Sequence, residues 1–438
     1  MIRIFDWDSL SAADRDAALA RPAQELRADI AAVAAEVVNA VRRKGDAALY
    51  SYTERFDAVR LETLAVSDQE FSQAREFLTS QQHAALERAI QNVHRFHSAQ
   101  LPQPLSLETT PGVRCERIFR AISTVGLYVP AGSAPLPSAV IMLAVPAQIA
   151  GCPNRILCTP PGRNGMANPA VLVAAQLCGI TTVFKVGGAQ AIAALAYGTE
   201  TIPKADKIFG PGNAWVTAAK QLVAADPAGA ACDMPAGPSE VMVVADDKAR
   251  ADFVASDLLA QAEHDTQAQA ILVTSSRRLA EAVSAEVQEQ TQLLSRRAIL
   301  EKSLAASRCI VVRDVEAAID VANQYAAEHL ILEVEDPRRW LPRIQNAGSV
   351  FLGAWSPEPM GDYCSGTNHV LPTYGYARAY SGLSVLDFIK GITVQELSPA
   401  GLRNLGPVAV ELAKLEGLDA HASAVSRRLD VLEAGVSS

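Results

Sequence analysis

The sequence predicts an α/β protein with two parallel, helix-covered sheets, a helical N-terminal part and a helical C-terminal tail. Three observations predict it. Short apolar runs alternate with helical stretches from Ile122 onward. The alternation pauses at a proline-rich stretch around residue 235 and then restarts. Near residue 353 it gives way to a long segment rich in Gly, Ser, Pro, Asn and Thr. A repeated β/α alternation is what a parallel sheet covered by helices requires.

The chain has 438 residues, of which 49% are hydrophobic and 20% charged, which excludes a disordered or fibrous protein. Its net charge of −9 argues against a nucleic-acid partner, since phosphate binding wants clustered Lys and Arg. Met1 to Asp8 lacks the basic and apolar regions of a signal peptide. The longest apolar stretch, Ser138 to Cys152, carries Pro146 and Gln148 and falls short of the ~20 residues that a membrane span needs. Seven scattered cysteines with no C-x-x-C read as reduced thiols of a cytoplasmic protein.

In chain order, residues 23–43 have apolar positions at helical spacing, and Lys44-Gly45 stops the run. Asp68 to His97 reads as a second long helix, and its histidines (83, 94 and 97) as solvated. The first β/α run has strands at 123–129, 155–159, 182–186 and 207–209, with helices at 136–150, 169–178, 189–196 and 214–223. In the second run the strands are 240–244, 270–274, 310–312, 329–334 and 349–352, and the helices 249–264, 278–294, 315–324 and 337–344. The similar length of the two runs suggests topological duplicates, with no sequence repeat to establish it. Residues 353–376 read as a functional loop, and 397–432 as a pair of helices joined near Gly417.

Four places hold candidate chemistry. Gln261 and His264 share a helix face at i, i+3. With Asp362 from the loop and His421 from the tail they make a zinc-compatible donor set, or else they are unrelated polar residues. Glu328-His329 is either an acid–base pair or a helix-end pair capping carbonyls. The Gly187-Gly188 and Gly210-Pro211-Gly212-Asn213 turns follow strands and precede helices, as phosphate-binding turns do, yet neither is G-x-G-x-x-G. Asp233 to Glu240 joins the two runs as a hinge or as part of a site.

Together these blocks resemble histidinol dehydrogenase. The stretches that carry the resemblance are Gly126-Leu127-Tyr128-Val129-Pro130, Gly132-Ser133-Ala134-Pro135, Val186 to Ala191, Phe209 to Asn213, Asp233 to Glu240, Gln261 to His264, Glu328-His329-Leu330 and Gly361 to Thr373. The resemblance implies two incomplete Rossmann-like domains of the aldehyde/histidinol dehydrogenase type. It divides the chain into an N-terminal segment (1–22), a first α/β domain (23–127 with 241–383), an NAD-binding domain (128–240) and a tail (384–438) exchanged in a homodimer.

The activity it implies is NAD-dependent, zinc-containing oxidation of L-histidinol to L-histidine. By motif, Gln261, His264, Asp362 and His421 resemble the zinc ligands. Glu328 and His329 resemble the two bases. Ser239, His369 and Glu416 resemble further substrate contacts, and Tyr128, Gln190 and Asn213 the NAD contacts. Ala326-Ala327 departs from a common Gly-Pro, and Cys364 stands in the Asp362 loop where a small residue is usual. The rival readings are a paralogous dehydrogenase of another small polar alcohol, such as a sulfonated diol, a zinc hydrolase, and a non-catalytic scaffold.

Overall fold

A computed structural model describes residues 2–22, 28–131, 135–235 and 237–434. The start of the expected helix at Ala23, the Gly132-Ser133-Ala134 stretch and Ala236 lie outside the described residues. The chain forms two compact units, one of Met1–Gln100 with Ile122–Phe388 and one of Leu101–Ala121 with Ile389–Ser438.

The first unit holds two parallel sheets. In the larger, six strands run in the order Arg3–Asp6, Arg308–Val311, Gln269–Thr274, Glu240–Ala245, His329–Glu333, Ser349–Leu352. In the smaller, five run in the order Thr182–Lys185, Asn154–Thr159, Thr124–Tyr128, Lys207–Phe209, Ala231–Cys232. Each winds the same way. The earliest strand of the β/α run lies centrally, the next two are added on one side, and the last two cross to the other. The sequence runs are therefore topological duplicates, and Arg3–Asp6 is an extra edge strand on the larger sheet, pairing with Arg308–Val311.

The strand Glu240–Ala245 is buried along its whole length. Its Val-Met-Val-Val run does not alternate with polar residues because helices cover both faces of the sheet. Val241 and Val243 pack with Leu258, Leu259 and Val283 on one side. On the other, Met242 and Val244 pack with Ile319, Val321 and Tyr325. Around the smaller sheet, Val37, Val41 and Leu49 share a core with Ile192, Leu195 and Val216, so the helices Ala28–Lys44 and Asp46–Asp57 pack there.

The expected helix from Asp68 to His97 is two helices, Asp68–Glu76 and Ser80–Ser98. The break follows from a second start signal. The Thr79 side chain accepts the Gln82 N–H while Gln82 reaches back to the Thr79 N–H, a capping box. His97 is not solvated; it is buried with both ring nitrogens unpartnered, and burial pushes its imidazole down to about 4. Residues 337–343 form a 3-10 helix rather than an α-helix, in which the Pro342 ring would clash with the carbonyl four residues back. The segment read as a loop contains a short helix, Glu358–Tyr363.

The second unit is an antiparallel sheet, Leu105–Thr110, Val113–Ala121 and Ile389–Leu397, with Val113–Ala121 central. The helices Pro399–Leu415 and Asp419–Ala434 pack on each other, with Gly406 against Val425 and Leu429. Leu405, Val408, Leu412 and Leu415 are exposed at helical spacing, forming an apolar stripe. No helix among the described residues is long and apolar enough to cross a membrane.

Candidate active site

The larger sheet gathers chemistry at the N-terminal ends of two adjacent strands, Glu240–Ala245 and His329–Glu333. The helix Val315–Tyr325 ends because Ala326 turns into the left-handed region (φ +57°), its N–H donating to Ala322 O. That turn delivers Glu328 and His329 into the start of the next strand, where His329 lies between Val241 and Ser349. A β-carbon at Gly348 would lie 2.6 Å from the Glu328 carbonyl oxygen, so the neighbouring backbone closes tightly over the pair. Left-handed alanine costs ~1–2 kcal/mol relative to its normal basin. Ala326→Gly is therefore expected to raise stability by about 1 kcal/mol, read as a higher urea midpoint. An unchanged midpoint would mean that no strain resides there.

Glu240, the first residue of the central strand, meets both groups with its main chain. Its N–H donates to Glu328 Oε2 at 2.8 Å. Its carbonyl oxygen lies 3.3 Å from His329 Nδ1. A proton on Nδ1 then leaves Nε2 as the basic nitrogen. His329 Nε2 lies 3.3 Å from Asp362 Oδ1 and 3.8 Å from Glu358 Oε1.

Burial dominates the titration of these groups. It pushes the Glu328 carboxyl up to about 8, against the His329 ring and the Glu240 N–H. Burial works against a charged His329, but the carboxylates of Glu328, Asp362 and Glu358 outweigh it and raise the imidazole to about 10. Burial, then the Asp362 charge, raises Glu358 to about 9. Asp362 is desolvated too, yet its close pairing with the His329 ring holds it far below the usual carboxylate range.

Glu358 and Asp362 lie one turn apart on the short helix Glu358–Tyr363, so their side chains share a face. Ligand atoms of His264, Glu358 and Asp362 all lie within 4.8 Å of one another. Burial lowers the His264 imidazole, partly opposed by Asp362, which favours the neutral nitrogen that a metal takes. One turn before it, Gln261 is 1% exposed and neither atom of its amide has a hydrogen-bond partner. His329 Nε2, Glu358 Oε1 and Asp362 Oδ1 are likewise buried without a well-formed hydrogen bond. Unpartnered buried polar atoms are rare. Their concentration here, with mixed N and O donors, fits a bound cation such as zinc. His369 Nδ1 lies 2.8 Å from the Asp362 carbonyl oxygen, and half-buried Ser239 directly precedes Glu240.

His421 and Glu416 belong to the second unit. Both are exposed on the second unit, His421 in the first turn of Asp419–Ala434 and Glu416 at the end of Pro399–Leu415. Sequence reasoning missed Glu358 altogether. Its signal was the four-residue spacing to Asp362, hidden in a stretch whose Gly and Pro content reads as loop.

The smaller sheet reverses strand order between Thr124–Tyr128 and Lys207–Phe209, and open α/β sheets bind ligands at the carboxyl ends of such strands. Tyr128 lies there, its Oη accepting the Gly188 N–H at 3.0 Å, and burial pushes its phenol up to about 12. Gln190 is buried beside the same turn. Asn213 Oδ1 accepts the Trp215 and Val216 N–H groups and so caps the helix Ala214–Ala225. Gly210 has φ +125°, and a β-carbon there would lie 2.0 Å from the Tyr128 carbonyl oxygen, so only glycine fits. Asp233 takes the Gly210 N–H at 2.7 Å and Lys220 Nζ at 2.6 Å, which pins the turn. A pinned glycine turn before a helix N-terminus at a strand-order reversal fits a dinucleotide.

The family model described as histidinol dehydrogenase matches residues 19–429. Histidinol dehydrogenase of Vibrio vulnificus strain YJ016 is 53% identical over 433 residues, covering 99% of this chain and 100% of that protein. The Xanthomonas oryzae pv. oryzae enzyme of the same name is 53% identical over 430 residues, covering 98% of this chain and 100% of its own. A crystal structure of histidinol dehydrogenase from Elizabethkingia anophelis superposes with a TM-score of 0.95 at 45% identity, covering 99% of each chain.

Proposed function

Since the chain belongs to the histidinol dehydrogenase family, we propose that it carries L-histidinol through L-histidinaldehyde to L-histidine with two NAD⁺ and one zinc ion per subunit. Oxidation of histidinol in histidine biosynthesis is the activity of this NAD-dependent oxidoreductase. The observation that carries the finer reading is a buried acid–imidazole pair set against a cluster of unpartnered metal-capable donors.

Gln261, His264 and Asp362 would hold the zinc, and His421 would complete the set from the other protomer of a homodimer. Zinc when bound anchors the imidazole and amino nitrogens of the substrate, and NAD⁺ when bound accepts hydride. His329 Nε2 takes the alcohol proton as the first hydride leaves. Glu328 removes a proton from the water that adds to the aldehyde, and His329 then takes the hydroxyl proton of the hydrate as the second hydride leaves. Ser239, His369 and Glu416 would hold the remaining substrate atoms. Tyr128, Gln190 and Asn213 would line the NAD⁺ site in a nucleotide-binding body of residues 128–240.

Incubating the enzyme with histidinol and excess NAD⁺ is expected to give two NADH per histidinol consumed, lost with a chelator and restored by Zn²⁺. A yield of one, or indifference to chelation, would remove the second oxidation or the metal. The exposed stripe of Leu405, Val408, Leu412 and Leu415 supports the dimer, since apolar residues in a row on one helix face mark a contact surface. Light scattering is expected to give twice the mass of one chain, and an active monomer would refute the shared site. A cytoplasmic location is supported by the seven free cysteines.

A further inference from the structure

One residue, Glu240, touches both proposed bases, and it does so through its main chain. Its N–H fixes Glu328 Oε2 at 2.8 Å, and its carbonyl oxygen faces His329 Nδ1 at 3.3 Å. The position of that peptide therefore sets the acid's orientation together with the tautomer and tilt of the imidazole. The Glu240 side chain is itself clamped. Arg21 grips it with both ends of its fork, Nε to Oε1 at 2.5 Å and Nη2 to Oε2 at 2.9 Å. The Tyr374 N–H adds a bond to Oε1 at 2.8 Å.

Arg21 is also tied to the helix that delivers the pair. Nη2 donates to the Tyr325 carbonyl at 2.8 Å, and the guanidinium lies 3.9 Å from the centre of the Tyr325 ring. Tyr325 Oη in turn donates to Gln269 Oε1 at 2.7 Å, and Gln269 Nε2 donates to Ala20 O at 3.1 Å. The Arg21 side chain is 15% exposed and that of Glu240 3%, so the fork works in a mostly dry setting where a charge-assisted pair is stiff.

We propose that Arg21, acting through Glu240, is a positioning residue for the Glu328–His329 pair. The proposal rests on the reading of that pair as the bases of histidinol oxidation. Arg21 touches neither base and none of the proposed zinc ligands. It joins the Glu240 carboxylate, at the start of one strand, to the C-terminal end of the helix that precedes the other. Loss of the clamp frees the Glu240 peptide to shift, and displacements of this kind act on the rate of proton transfer rather than on the affinity for substrate or metal.

The test compares Arg21→Ala, Arg21→Lys, Glu240→Gln and a control, Arg15→Ala, in the full-length enzyme. Arg15 lies in the same N-terminal stretch, but its side chain donates to the Trp7 carbonyl and lies over the Trp7 ring. Arg21→Ala is expected to lower kcat of both oxidation steps by about 10- to 100-fold, with KM for histidinol and zinc content held within about twofold. Arg21→Lys recovers part of the loss, because an ammonium cannot grip both carboxylate oxygens. Added ethylguanidinium restores part of kcat in Arg21→Ala but not in Glu240→Gln, and Arg15→Ala behaves as wild type.

Unchanged kcat in Arg21→Ala, or a loss that follows zinc content, would overturn the proposal. Should Arg21→Ala fail to fold, Glu240→Gln neutralises the same clamp while keeping the main chain, and undiminished kcat there is equally fatal. A wild-type enzyme that makes no NADH from histidinol would sink the reaction itself. An active wild type with an indifferent Arg21 sinks only the positioning role.

Discussion

Glu328→Gln leaves the first hydride transfer near the wild-type rate and slows conversion of the aldehyde to the acid by ~10²–10⁴-fold, the usual contribution of a general base. An amide cannot take a proton from water, but its oxygen can still accept the Glu240 N–H, so the variant keeps the local geometry. Separate single-turnover runs from histidinol and from histidinaldehyde check this. Burial already favours the neutral carboxyl at this position, so a neutral amide adds no new desolvation cost. Equal losses in the two half-reactions would deny Glu328 a role confined to the hydration step.

The second large effect is on the metal. His264→Asn is expected to weaken zinc retention by about 100-fold or more, since even a residue behind the ligands can account for 10- to 100-fold. Elemental analysis after dialysis against a chelator reads the loss directly, and KM for histidinol rises with it. Metal content equal to wild type would strike His264 from the ligand set. Glu358→Gln makes an informative partner, because Glu358 stands as close to the cluster as His264 does. If it also empties the site, the carboxylate is a ligand. If it does not, its role is confined to its charge interaction with Asp362 and His329.

Much of this arrangement was legible beforehand, for physical reasons that differ between elements. The buried strands Glu240–Ala245 and Gln269–Thr274 announce themselves as short apolar runs between helices. The start of Ser80–Ser98 is equally visible in Thr79-x-x-Gln82, but the apolar periodicity that runs across it masks the break. Arg3–Asp6 is too short to show alternation and gains its identity only from Arg308–Val311, three hundred residues on. The antiparallel sheet has the same difficulty, since Val113–Ala121 pairs with Ile389–Leu397 across most of the chain.

The site divides along similar lines. Gln261 with His264, and Glu328 with His329, are local pairs that spacing can reveal. That Asp362 reaches His264, or that Arg21 grips Glu240 from 219 positions away, depends on the closed sheet. No local pattern encodes such contacts.

The two bases hang from the start of an interior strand of the larger sheet, and Asp362 from a six-residue helix outside it. Those supports differ in how readily they open. Amide protons of Val241 and Leu330 should exchange only when the whole unit unfolds, whereas those of residues 358–376 can exchange through partial opening. In mild denaturant the enzyme should therefore lose turnover before it loses its tryptophan signature or its circular dichroism. Inactivation of that kind should reverse on dilution, because the scaffold that aligns the proton-transfer groups has never come apart.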